Sequence, residues 1–380
     1  MIIPFYNLKR TSGPNAYYTQ NVKMFMITMP KSHTMFAAVL IAILLFIVST
    51  APAKGETPDK TGNEIKKDDS DHYQKSIDNT PANRNVDAGK TIENNLLIKS
   101  LSKAIELKPG EFSIYNSRGK IWYETDEYDE AIKDYSKALE LNPEFAEAYN
   151  NRGAAWSKKG DTEQAISDFN KAISLDPNLA EAYYGRGMIL NSKGCYYQAI
   201  ADYNKAITSN PNYSQAYNQR GISWDNKKKF DLSIADYNKA LEIDSQFAAA
   251  YFNRAIAWGK TENFDNAIKD FSASLQIFPD HSLTYLQRGI NFVKKKEYEK
   301  AIQDFDKAIE VDHLFANAYV QRGIVYGLKK DHEQAIKDYT RAIEINPNQA
   351  EAYFNRSIAW NSLGDTAKSL ADNEKAGTLD

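Results

Sequence analysis

The sequence predicts an all-α protein, an α-solenoid of antiparallel helix pairs, on three observations. The stretch from Ala146 to Asn178 reproduces its own pattern when slid by 34 residues in either direction. Arginine keeps that period at Arg118, Arg152, Arg186, Arg220, Arg254, Arg288, Arg322 and Arg356, and aspartate keeps it at Asp134, Asp168, Asp202, Asp236, Asp270, Asp304, Asp338 and Asp372. Within each period the apolar residues follow helical spacing. A fixed period of this size marks a chain built by stacking one supersecondary unit, each burying its apolar face on its neighbours.

The first helix of each unit runs from a tyrosine (Tyr115, Tyr149, Tyr183, Tyr217, Tyr251, Tyr285, Tyr319, Tyr353) to a bulky residue seven positions on. That second position is Trp122, Trp156, Leu190, Trp224, Trp258, Phe292, Tyr326 or Trp360, and so holds all 5 tryptophans of the chain. Seven residues are two turns, so both side chains fall on one stripe. A small residue stands between them: Gly119, Gly153, Gly187, Gly221, Ala255, Gly289, Gly323 or Ser357. A helical glycine costs roughly 1 kcal/mol against alanine, and its recurrence predicts close helix approach. The second helix carries small residues at two depths with an aromatic between, as in Ala131, Tyr135 and Ala138. Proline stops it at Pro143, Pro177, Pro211, Pro279 and Pro347, with Ser245 and His313 in its place at two junctions.

These small, aromatic and proline positions resemble the tetratricopeptide repeat, a helix–turn–helix of 34 residues. Eight units follow: 112–145, 146–179, 180–213, 214–247, 248–281, 282–315, 316–349 and a shortened 350–380. One departure is consistent, since arginine stands before the glycine where the family more often has leucine. The resemblance implies a right-handed superhelix whose first helices line a concave groove for peptides or partner segments.

Composition narrows the rest. The chain of 380 residues has 47 Lys+Arg against 50 Asp+Glu, a net charge of −3, which provides no basic field for nucleic acid. Cys195 is the single cysteine, so an intramolecular disulfide and a thiolate zinc site are both excluded. No cofactor motif is present: there is no phosphate loop, dinucleotide fingerprint or G-x-S-x-G.

Residues 1–34 form a basic leader without acidic residues, and Met24 and Met29 offer alternative starts. Residues 35–53 hold the apolar run from Met35 to Val48, with no charge between Lys31 and Lys54. Its length falls short of the ~20 residues of a membrane span unless the uncharged flanks join it. It equally suits a signal peptide cleaved after Ala51-Pro52-Ala53. Either way the repeats are expected outside the cytoplasm, held by a single-pass anchor through residues 35–53 or released near Ala53 as a secreted or periplasmic protein. Residues 54–90, with seven basic and eight acidic residues and one aromatic, read as a disordered linker.

Residues 91–111 read as a half-repeat that caps the first unit. Leu97, Ile98, Leu101, Ala104 and Ile105 fall in register with Ala131, Ile132, Tyr135, Ala138 and Leu139. At the other end Asn373 replaces the aromatic. That leaves the last edge a candidate surface for docking or for a homo-oligomer.

The Arg/Asp pairs suggest active sites, but sixteen residues separate Arg118 from Asp134. This spacing puts one on each helix of a hairpin and predicts a structural ion pair in every unit. The Trp and Tyr series is core. No histidine stands near Cys195 to activate it, and His281 with His313 lacks a third metal ligand, so catalytic and metal residues are none. What remains is surface. Directly after the tyrosines stand Asn116, Asn150, Tyr184, Asn218, Phe252, Leu286, Val320 and Phe354. One further on stand Ser117, Asn151, Gly185, Gln219, Asn253, Gln287, Gln321 and Asn355, six of them amides. Amides donate and accept, so such a ladder suits a peptide backbone. Ile222, Ile256, Ile290, Ile324 and Ile358 add an apolar face or pack between repeats. The groove set is therefore Asn116, Asn150, Asn151, Asn218, Gln219, Asn253, Gln287, Gln321 and Asn355 with Phe252 and Phe354. The sequence reads as a non-catalytic scaffold for protein or peptide partners, with self-assembly through the last repeat as the alternative.

Overall fold

The computed structural model describes residues 81–379, with side chains from Glu93 onward. The leader, the apolar run at 35–53 and the first part of the linker, through residue 80, lie outside the described residues. Among those described there are seventeen helices and no strand. They divide between two compact units at the 211/212 junction, each taken by itself.

The N-terminal unit opens with α1 (Pro81–Leu107) and continues with the hairpins α2 (Phe112–Glu124)/α3 (Tyr128–Leu141), α4 (Ala146–Lys158)/α5 (Thr162–Leu175) and α6 (Ala180–Ser192)/α7 (Tyr196–Ser209). The last ten residues of the expected linker therefore belong to α1, a correction to its disordered reading. Pro81 stands at the first helical position, where a missing N–H breaks no helical bond. The C-terminal unit holds five hairpins: α8 (Ser214–Asn226)/α9 (Phe230–Ile243), α10 (Ala248–Lys260)/α11 (Phe264–Ile277), α12 (Ser282–Lys294)/α13 (Tyr298–Val311), α14 (Ala316–Leu328)/α15 (His332–Ile345) and α16 (Ala350–Ser362)/α17 (Thr366–Gly377). No described helix is long and apolar enough to cross a membrane.

Each hairpin closes on its glycine. A Cβ on Gly119 would stand 2.7 Å from a ring carbon of Tyr135, and one on Gly289 would stand 2.5 Å from Phe305. The aromatic of the second helix thus fills the space that the first helix leaves open. Around it gather small residues with no exposed surface: Tyr339 packs with Ala335, Ala342, Val320 and, from the next hairpin, Ala352. Small residues on both sides let adjacent helices approach, so the core is a series of shallow layers rather than one mass.

The turns inside the hairpins need a left-handed residue. Gly160, Gly194 and Gly364 supply it at φ +83°, +75° and +84°, but Asp126, Lys228, Glu262, Lys296 and Lys330 take φ between +57° and +66°. The junctions between hairpins rest on a different device. Asn142, Asp176, Asp244, Asp312 and Asn346 each accept the backbone N–H two residues on. At these five junctions the side-chain turn forms whether or not a proline follows, so Ser245 and His313 are tolerated.

The arginines do more than pair within a hairpin. In all eight, Nε and Nη2 grip both oxygens of the aspartate sixteen residues on, at 2.5–2.8 Å. In seven, Nη1 also bonds a polar side chain sixteen residues back, on the preceding second helix: Ser102, Ser136, Asn170, Asn238, Ser272, Asp306 or Thr340, at 2.6–3.0 Å. Seven guanidinium groups also lie over their tyrosine rings, 5.4–5.7 Å from the centroid. α1 takes part through Ser102, standing where a preceding second helix would. The aspartates are buried. Burial pushes the Asp236, Asp304 and Asp338 carboxyls up from the usual carboxylate range, against the opposing pull of Arg220, Arg288 and Arg322.

Two stability predictions follow from these contacts. Arg254→Leu strips the buried Asp270 of its partner and is expected to destabilise the C-terminal unit by about 3 kcal/mol. Adding Asp270→Leu to Arg254→Leu should recover much of that loss in urea denaturation. At the turns, Lys296→Gly relieves the left-handed penalty and should raise stability by up to about 1 kcal/mol, read as a higher urea midpoint.

Candidate binding face

The residues after each repeat tyrosine sit on the side of the first helix that meets the next first helix. That placement decides which of them face solvent. Asn116, Asn150, Asn218, Gln219, Asn253 and Gln287 are buried, whereas Asn151, Gln321 and Asn355 are partly exposed. Asn151 donates to Asn116 Oδ1 at 3.0 Å across the α2–α4 contact, and Asn150 donates to Asn151 at 3.3 Å. Asn253 donates to Asn218 Oδ1 at 3.0 Å across the α8–α10 contact. The amide ladder read from the sequence is present here, but these rungs bond one another and tie neighbouring hairpins together.

Phe252 requires a correction. It is 0 % exposed, with its ring edge-on to Phe271 at 5.5 Å and to His281 at 5.8 Å, and so lines no open surface. Tyr184, Leu286 and Val320 are buried at the same position, and only Phe354 in the last hairpin stands open, at 50 %. Tyr184 packs on Tyr203 of its own hairpin, and Val320 is covered by Ala352 of the following one. Gly185 interrupts the amide series for a local reason: a Cβ there would stand 2.5 Å from the tip of Phe169. That close approach has no signature in the repeat pattern itself.

The open part of the face lies in the C-terminal unit. Gln321 and Asn355 make no side-chain hydrogen bond among the described residues. Beside them Ile256, Ile290 and Ile324 are half-buried and Ile358 is exposed, whereas Ile222 is buried. Ile324 also packs on the Val320–Tyr339 core, so the series serves both packing and surface. One turn along, a Cβ on Gly259 would stand 3.2 Å from Asn291 Oδ1 and one on Gly327 3.9 Å from Tyr339 Oη.

In the N-terminal unit the corresponding turn carries Lys158 and Tyr123. Lys158 sits with Nζ 5.4 Å from the Tyr128 ring centroid, and burial lowers its ammonium to about 8. Burial likewise drives the Tyr123 phenol well up, and its buried Oη has no hydrogen-bond partner. Lys158 is charged in the unfolded chain up to about pH 10.5, so unfolding takes up a proton between pH 8 and that value. Stability of the N-terminal unit is therefore expected to rise with pH across that window. Lys158→Met should flatten the rise in urea titrations at successive pH values.

The other sequence candidates hold no chemistry together. Cys195 is exposed, and its Sγ lies 3.9 Å from the Lys193 carbonyl. His281 is buried at the start of α12, with Nδ1 2.5 Å from Thr284 Oγ1, while His313 is exposed in a junction. No group of three or more His, Cys, Asp or Glu that could hold a metal occurs among the described residues.

Models described as tetratricopeptide repeat match residues 146–179, 180–213 and 316–349, and again 214–247 and 284–312. A further model, described as TPR repeat, matches residues 119–160, and together these matches span about half of the chain. The chain belongs to the tetratricopeptide-repeat family. No curated protein matches it. Among solved structures it is similar to the hetero-tetramer Cut9–Hcn1 of APC/C, at 16 % identity and TM-score 0.54 over 86 % of this chain and 63 % of that one. It is also similar to the C-terminal part of a repeat-containing protein from Cytophaga hutchinsonii, at 20 % identity and TM-score 0.51 over 62 % of this chain and 97 % of that one. A third similar structure is YrrB, described as a TPR protein with an unusual peptide-binding site. It matches at 26 % identity and TM-score 0.43 over 48 % of this chain and 95 % of that one. Proteins of this repeat are in general non-catalytic scaffolds, and the fold is consistent with protein–protein interaction.

Proposed function

We propose that the chain is a non-catalytic scaffold that binds extended segments of partner proteins on the first-helix face of its C-terminal unit. The observation that carries this reading is the pairing of uncommitted amides with open apolar surface. Gln321 and Asn355 have free donors and acceptors, and Ile324 and Ile358 stand beside them. Amides hold a peptide backbone irrespective of sequence, and the isoleucines select for apolar side chains. Neighbouring helices pack about 8–10 Å apart, close to the reach of three residues of extended chain at about 3.3 Å each. The ligand is therefore a segment with an apolar residue at roughly every third position. The pairs Asn116–Asn151 and Asn218–Asn253 bond one another and have no part in this contact beyond holding the hairpins in register.

The apolar run from Met35 to Val48 supports an exported, tethered form of this scaffold. Alkaline extraction of native membranes together with N-terminal sequencing would distinguish an anchor from a cleaved signal.

Selection from a displayed library of random peptides tests the binding face. The chain is expected to enrich apolar-spaced sequences, and the pair Gln321→Ala and Asn355→Ala should weaken the selected peptides by tenfold or more. Retained affinity in that variant, with its helical signal intact, would contradict the reading.

A further inference from the structure

One lysine of the N-terminal unit lacks the partner that its equivalent in the C-terminal unit has. Lys158 ends α4 and Lys260 ends α10, at the same position of repeats three apart. Each ammonium lies over the ring that opens the preceding second helix, Tyr128 at 5.4 Å and Phe230 at 5.7 Å. Lys260 is also ion-paired with Asp225. In the earlier hairpins the position of Asp225 is taken by Tyr123, and Lys158 makes no hydrogen bond or ion pair among the described residues. Two acidic side chains of this corner are engaged elsewhere: Asp126 accepts the Tyr128 hydroxyl, and Asp129 pairs with Lys159. Tyr123 is buried, its ring edge-on to Tyr128 at 5.7 Å, and its hydroxyl has no partner. Desolvation without a counter-ion lowers the Lys158 ammonium to about 8, against the opposing pull of Asp126. The side chain is only partly buried, as are Tyr128 and Trp156 of the same aromatic cluster.

We propose that Lys158 is a covalent attachment site for an aldehyde with an aromatic body, held as an imine among Tyr123, Tyr128 and Trp156. A lysine desolvated among apolar side chains is the form of the amine that attacks carbonyl carbon. Neutral Nζ adds its lone pair to the carbonyl carbon and passes one proton to the oxygen. The carbinolamine then releases water, its second N–H proton leaving with the hydroxyl, and a C=N bond remains. No oxidant or reductant is consumed. The neutral imine removes an ammonium that this corner solvates poorly, and an aromatic body takes up the ring face that the ammonium leaves. Asn151 stands two turns earlier on the same stripe of α4, so attachment changes the charge of the first-helix face of this unit. Lys260, held charged by Asp225, is the same position without that reactivity.

The probe is benzaldehyde, trapped on the full chain with cyanoborohydride and mapped by peptide mass spectrometry. The reading is the initial labelling of Lys158 relative to the exposed Lys193 in the same sample, which cancels the pH dependence of the reductant. At pH 7 this ratio is expected to be tenfold or more. It should fall towards one as the pH approaches 10.5, where ordinary lysines lose their protons too. Tyr123→Asp gives Lys158 the partner that Lys260 has and should bring its labelling down to that of Lys260. The selectivity of the parent chain is read independently of that variant. Formaldehyde, which has no body to pack on the rings, should label Lys158 with less preference. A ratio near one at pH 7 would overturn the proposal. Equal preference with formaldehyde and benzaldehyde would overturn the aromatic class of the ligand.

Discussion

The structure depends on one guanidinium geometry. A planar fork offers donors on two edges, and here one edge closes a hairpin while the remaining nitrogen reaches the hairpin before it. Lysine, a point charge on a flexible stem, cannot serve both directions at fixed angles. The ion pair by itself is weak evidence of stability, because burying the aspartate offsets most of the attraction. What the arrangement provides is register. A hairpin that slid along its neighbour would lose the second acceptor, because the aspartate fork and the stacking on the tyrosine ring, both within the hairpin, fix where the guanidinium points.

The rest of the packing is compatible with that constraint. Glycine opposite an aromatic brings the two helices of a hairpin together, and alanines at the contact between hairpins keep the layers thin. Such layers bury little apolar area each, so polar links between them matter more than they would in a single large core. The amide pairs Asn116–Asn151 and Asn218–Asn253 extend the same principle to the contacts between first helices.

Most of the fold was legible from the period alone, since small residues, aromatics and the Arg/Asp spacing recur in every unit. The hairpins, their order and the pairing of Arg118 with Asp134 all follow from it. The site was legible only in part. A repeat pattern shows which residues share a face but not which of them the next repeat covers, so Phe252 and Phe354 look alike in sequence and differ completely in exposure. The bond from seven of the arginines to the preceding helix was hidden for another reason. Its acceptor varies among serine, threonine, asparagine and aspartate, which share only the capacity to accept a hydrogen bond. Gly185 was opaque because the atom that excludes a side chain there belongs to Phe169, in another repeat.

Within the C-terminal unit the arginines from Arg254 onward couple adjacent hairpins as well as closing their own. Amide hydrogen exchange on Arg254→Lys tests this most directly, because the charge is retained and the fork is lost. Arg254 bonds Asp270 within its hairpin and Asn238 on α9. The account predicts faster exchange in α9 as well as in α10 and α11. Faster exchange confined to α10 and α11, with α9 protected as in the parent chain, would contradict it.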